Sequence, residues 1–137
     1  MDSARHYNNV ETTVIIFTHG SAVEAAKEGV HALKRRNQQS GSYLYVWASF
    51  LGPGQPELGP AIAEAAEAGF ERIVIIPYFL SLGTHLHRDL PRLVAAEKQK
   101  HPHMQIQVGR SLEDHPEMAL LVLSRIQELT KEVKVSP

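Results

Sequence analysis

Cysteine is absent from the 137 residues. That removes disulfides, thiolate zinc sites, iron–sulfur clusters and cysteine nucleophiles at once. Net charge is nearly absent too, since 14 Lys and Arg against 15 Asp and Glu leave −1. So small an imbalance gives no basis for broad attraction to nucleic acid or anionic membrane. An acidic ligand therefore needs a local basic or helix-terminal site. No apolar run approaches the ~20 residues of a membrane span, and the opening MDSARHYNNVETT lacks the apolar core of a signal peptide. The expectation is a cytoplasmic protein with no membrane or nucleic-acid partner. No Gly-x-x-x-x-Gly-Lys loop occurs, so no bound nucleotide is expected.

Hydrophobic residues make up 43% of the chain, enough for one core at this length. A single domain spanning 1–137 is expected, with 1–11 as a loose lead-in. TVIIFT, Thr13 to Thr18, is a β-branched run that reads as a strand buried on both faces. Ser21 suits the N-cap of a helix reaching about Gln38, with an apolar stripe at Val23, Ala26, Val30 and Leu33. YLYVWASF, Tyr43 to Phe50, reads as the second strand. Pro56 fits the first turn of the next helix and Gly69 its end. RIVIIP, Arg72 to Pro77, is a third buried strand. FLSLGTHLH, Phe79 to His87, reads as a glycine-containing loop, after which Asp89 is placed to cap a helix carrying Leu90, Leu93 and Val94. Gln105 to Val108 is a short fourth strand. Met118, Val122, Ile126 and Leu129 mark the final helix.

Strands alternating with helices predict an α/β fold of three layers. Right-handed crossovers favour a four-stranded parallel sheet of order 2-1-3-4, flanked by helices. In that order the loops after strands 1 and 3 diverge, which is where such sheets bind ligands.

Histidine supplies the chemistry. There are eight, and two carry the reading at that divergence: His19, directly after strand 1, and His85, in the loop after strand 3. Two imidazoles facing one crevice can hold Co²⁺, Fe²⁺ or Ni²⁺ and can accept protons near neutral pH. Metal ligation needs neutral imidazole, so activity is expected to fall as pH drops through the ordinary histidine value of about 6.5. A lone histidine in a turn more often bonds local backbone; position and convergence favour the functional reading here. His87 is a further ligand or a surface residue, with the surface favoured. His6, His31, His101, His103 and His115 read as solvated. Ser21 with the first N–H groups of its helix, and Arg88 with the start of the third, are candidate anion sites. Phe50, Leu51, Phe79, Leu80 and Leu82 are available to floor a flat ring, although ordinary packing explains them equally well.

These residues resemble a known family. TVIIFTHGS is similar to the opening strand and His-Gly-Ser turn of the short sirohydrochlorin cobaltochelatases and ferrochelatases. RIVIIPYFLSLGTHLHRDLP is similar to that family's second signature, at Pro77, Phe79, Leu80, Gly83, His85, Asp89 and Pro91. ASFLGPGQPELGPAIAEAAEAGFERI resembles the segment between, so the likeness runs from about residue 12 to 130. It implies a chelatase-type fold and ATP-independent insertion of Co²⁺ or Fe²⁺ into sirohydrochlorin or a close precorrin, for cobalamin or siroheme; a relative uses Ni²⁺. It maps the metal-handling and catalytic histidines onto His19 and His85, and substrate contacts onto Gly20, Ser21, Phe79, Leu80, Gly83, His87 and Arg88. It also implies a homodimer. Two positions depart from the pattern: Ala22 and Val23 follow His-Gly-Ser, and Gln55 stands where many members carry an acid. Those departures motivate a second reading, a tetrapyrrole- or metal-binding relative without turnover. A phosphohistidine enzyme ranks last, because Thr18 stands where histidine phosphatases place Arg.

Overall fold

The structure, a computed structural model, describes residues 12–19, 23–39, 45–52 and 56–130. Strands and helices alternate: β1 (Thr12–His19), α1 (Val23–Gln39), β2 (Tyr45–Leu51), α2 (Leu58–Glu67), β3 (Arg72–Pro77), α3 (Gly83–Lys100), β4 (Gln105–Val108) and α4 (Glu117–Leu129). The strands form one parallel sheet in the order β2-β1-β3-β4. Fold class and strand order are those expected from the sequence. The lead-in 1–11 and the turn residues Gly20, Ser21 and Ala22 lie outside the described residues, as does Gln55.

The central strands are buried because their side chains meet helices on both faces. Ile15 and Phe17 of β1, with Ile73 and Ile75 of β3 and Ile106 of β4, pack beneath Leu58, Ala61, Ile62 and Ala65 of α2 and Leu86, Leu90 and Val94 of α3. The alternate residue set, Ile16 with Val46 of β2, packs against Val30 of α1. Fully burying each such aliphatic side chain contributes roughly 1.5–3 kcal/mol, so the sheet's register is held by which residues face which helix.

The ends of α2 show local chemistry at work. Glu57 is its N-cap, without a side-chain cap bond, so Pro56 precedes the helix instead of opening its first turn. At the other end Gly69 adopts φ +95°. Its N–H donates to the Ala66 carbonyl at 3.1 Å and the Phe70 N–H donates to the Ala65 carbonyl at 3.2 Å. That bond pair is a Schellman motif, and its left-handed residue is where glycine is favoured.

The third helix differs from expectation. It begins at Gly83, so His85, His87, Arg88 and Asp89 lie in its first two turns, not in a loop. Leu82 occupies the N-cap and Asp89 caps nothing. Pro91 sits inside the helix. The cause is packing: Leu86, Leu90 and Val94 are all buried at four-residue spacing, which carries the apolar stripe one turn further back than Asp89 suggested.

Candidate functional site

β1 and β3 are neighbours, with Phe17 opposite Pro77 at the carboxyl end of the pair. His19 is the last residue of β1 and is exposed. Its ring stands edge-on to Phe79, with centroids 5.2 Å apart and planes at 74°. Phe79 is buried and also meets Phe17 edge-on at 6.0 Å. A packed aromatic step therefore backs the imidazole, while the residue as a whole stays exposed.

The loop from β3 to α3 is tied to the end of β1. The Tyr78 N–H donates to the Phe17 carbonyl at 2.7 Å. The Thr18 hydroxyl donates to the Tyr78 carbonyl at 3.2 Å, and Thr18 itself is buried. This loop runs on through Leu80, which is 69% exposed, to Gly83 at φ +73° and then His85 on the first turn of α3. Topology thus joins the two histidines through one short tethered segment. Thr18 is a positioning residue that sequence reasoning passed over. Its signal was a hydroxyl on a β-branched residue at the end of a buried strand.

His85 is exposed, and its Nδ1 lies 3.3 Å from the Arg88 guanidinium. An arginine is always a donor, so in this contact His85 Nδ1 accepts. Arg88 also reaches the Asp89 carboxylate at 3.4 Å. His87 projects elsewhere. It lines a cavity of about 730 Å³ between α3 and β4, floored by Leu90, Val94, Ile106 and Val108. Neither His19 nor His85 lines that cavity. Among the described residues, no group of three or more His, Asp or Glu is arranged to hold an ion. The two histidines therefore offer at most a pair.

The remaining histidines have local roles. His115 Nδ1 accepts the Glu117 N–H at 3.1 Å and so caps α4. His101, expected in solvent, is half-buried with Nε2 4.0 Å from Glu97 Oε1. His31 and His103 are exposed as expected, and His6 lies outside the described residues. Of the other expected contacts, Phe79 packs under His19, and Leu80, Gly83 and Arg88 lie on the segment between the histidines or beside them. Gly20 and Ser21 fall outside the described residues.

The CbiX family model matches residues 13–129. The sirohydrochlorin cobaltochelatase of Methanopyrus kandleri is 29% identical over 86 residues, covering 63% of this chain and 60% of that protein. The sirohydrochlorin cobaltochelatase of Priestia megaterium is 26% identical over 127 residues, covering 92% of this chain and 41% of that one. The chain thus spans 60% and 41% of the length of these two relatives. Among solved structures, the CbiX protein of Marinobacter aquaeolei VT8 superposes with a TM-score of 0.71 at 20% identity, covering 89% of this chain and 99% of that one. SirB of Bacillus subtilis with Fe³⁺ gives 0.70 at 20% identity, covering 88% of this chain and 48% of that one. These two likenesses establish the fold. With the family model spanning all four strands and all four helices, the chain belongs to the CbiX family.

Proposed function

We propose that this protein inserts a divalent ion, Co²⁺ or Fe²⁺, into sirohydrochlorin or a related tetrapyrrole without ATP, with His19 and His85 as its metal-handling groups. The observation that carries the reading is the tether: His19 packs on Phe79, in the same short segment that delivers His85. Relatives named sirohydrochlorin cobaltochelatase support the substrate. Imidazole accepts Co²⁺, Fe²⁺ and Ni²⁺ alike, so the choice among them rests on supply and geometry.

Two ligands suit a substrate ion better than four. A pair leaves most coordination positions to water, so the ion is held and still able to leave, unlike the closed set of a structural site. The net reaction exchanges M²⁺ for the two protons of the macrocycle's pyrrole N–H groups. As the ion passes to the ring, the ring nitrogens of His19 and His85 are released and become free to take those protons. Exposed Leu80 offers an apolar contact for the flat ring beside the pair, and Arg88 offers a cation for one of its carboxylates. Gly20, Ser21, Phe79 and Gly83 complete the proposed substrate contacts; His87, which lines the α3–β4 cavity instead, is not among them. The scheme needs neither nucleotide nor iron–sulfur cluster, operates in the cytoplasm, and is carried out by a homodimer.

The Arg88 contact with His85 favours a second reading, a carrier that binds tetrapyrrole or metal without turnover, because the guanidinium occupies a nitrogen that a metal would take. Absorbance of sirohydrochlorin with Co²⁺ or Fe²⁺ separates the two. Conversion faster than in the protein-free control supports the chelatase. A shifted spectrum without conversion replaces it with the carrier, and an unchanged spectrum contradicts both.

A further inference from the structure

Phe79 backs the imidazole of His19, and its main chain is braced from two sides. One brace comes from β1, through the Tyr78 N–H on the Phe17 carbonyl and the Thr18 hydroxyl on the Tyr78 carbonyl. The other comes from the segment that follows β4. There the Leu112 N–H donates to the Phe79 carbonyl itself at 3.0 Å.

This second brace begins where β4 ends. Val108, the last residue of β4, stands opposite Ile75 of β3. The Gly109 N–H donates to the Ile75 carbonyl at 2.8 Å, which carries the ladder one bond past the strand. Between Gly109 and Leu112, Ser111 is buried, and its hydroxyl donates to the Glu113 carboxylate at 2.7 Å. Two main-chain bonds to β3 and the segment after it, with a buried side chain between them, leave this stretch little freedom.

Glycine stands at the first of those bonds for space and not for backbone conformation. Gly52, Gly69 and Gly83 adopt positive φ, whereas Gly109 does not. A Cβ at position 109 meets Cδ1 of Ile76 at 2.9 Å and the Ile75 carbonyl oxygen at 3.7 Å. The first distance is well inside the optimum of about 3.5–4.0 Å between carbons. Ile76 yields poorly, because it is branched at Cβ and stiff at χ1 and packs against Ile16, Val30 and Val46. A side chain at 109 therefore pries the connector from β3, stretching the bond at Ile75 first and the bond at Phe79 after it.

We propose that Gly109 is a positioning residue of the metal site. Its missing side chain seats the 109–112 connector against β3, so that the Leu112 N–H fixes Phe79 and, through Phe79, the ring of His19. The effect on turnover rests on the chelation reading; the placement of the His19 ring does not.

The test pairs Gly109→Ala with Ile76→Val, which removes the atom that the new Cβ meets. Two quantities are read on the full-length chain. One is the initial rate of Co²⁺ insertion into sirohydrochlorin. The other is the proton resonance of the His19 ring, assigned by its loss in His19→Ala, which responds to the neighbouring Phe79 ring. Gly109→Ala is expected to move the His19 resonance and to lower the rate by roughly three- to tenfold, less than the ~10²-fold that a displacement of about 1 Å can cost. Ile76→Val alone leaves both close to wild type, and the double variant returns both toward wild type. A Gly109→Ala protein with a lower thermal midpoint but an unmoved His19 resonance and an unchanged rate overturns the proposal, since Gly109 then serves stability alone. A double variant no better than Gly109→Ala overturns it as well. A wild type no faster than the protein-free control contradicts the chelation reading, and the His19 resonance then decides the brace by itself.

Discussion

Arg88 and Thr18 are the residues through which the site's two histidines respond to their surroundings. Arg88 donates to His85 Nδ1 across 3.3 Å, so a metal approaching that nitrogen must displace it. Arg88→Ala is expected to tighten Co²⁺ binding by roughly two- to tenfold, matching an exposed hydrogen bond of about 0.5–1.5 kcal/mol, as read by calorimetry. Its ion pair with Asp89 lies on the surface, so the thermal midpoint should not move. Unchanged affinity would show that His85 does not present Nδ1 to the ion. Thr18→Val keeps the shape and removes the hydroxyl that ties β1 to the loop carrying Phe79. It should lower stability by about 1 kcal/mol in chemical denaturation, and should slow metal insertion beyond that, because the step under His19 is loosened. Equal insertion rates would show that the tether does not position the pair.

Elements followed the sequence wherever apolar periodicity and a turn residue agreed. TVIIFT and RIVIIP are β-branched runs closed by His19 and Pro77, and both became central strands. Gly69 ended α2 through its positive φ. Gly69→Ala forces an L-residue into the left-handed region and should cost roughly 1 kcal/mol of stability; a smaller loss in urea unfolding would mean that the Schellman turn relaxes. The start of α3 was hidden because its signals conflict. Asp89-Leu90-Pro91 imitates a cap followed by a first-turn proline, while GTHLH carries only one apolar residue. That residue, Leu86, is the decisive one, since burying it in line with Leu90 and Val94 outweighs a missing cap. The result matters for the site: His85 is set on a rigid first turn and not on a loop. The position of α4 was not legible at all. Its periodicity specifies a face, but no local pattern states whose surface that face will meet.

For the whole molecule, the strand order β2-β1-β3-β4 does the assembling. It places the ends of β1 and β3 side by side, so that residues 66 positions apart in the chain, His19 and His85, are joined by one tethered loop. That strand order was legible, because right-handed crossovers leave few alternatives. The cavity between α3 and β4 was not, since its lining joins side chains of α3, β4 and the connector after β4 that only tertiary packing brings together. The central claim is that this architecture uses the two histidines to deliver an ion to a tetrapyrrole. The most direct measurement is the initial rate of Co²⁺ insertion into sirohydrochlorin by the wild type, His19→Ala and His85→Ala, followed by absorbance against a protein-free control. The account predicts a wild-type rate above the control and a fall on the order of 10²-fold or more in each variant, with the fold intact by circular dichroism because both side chains are exposed. Folded variants that turn over at the wild-type rate would contradict it.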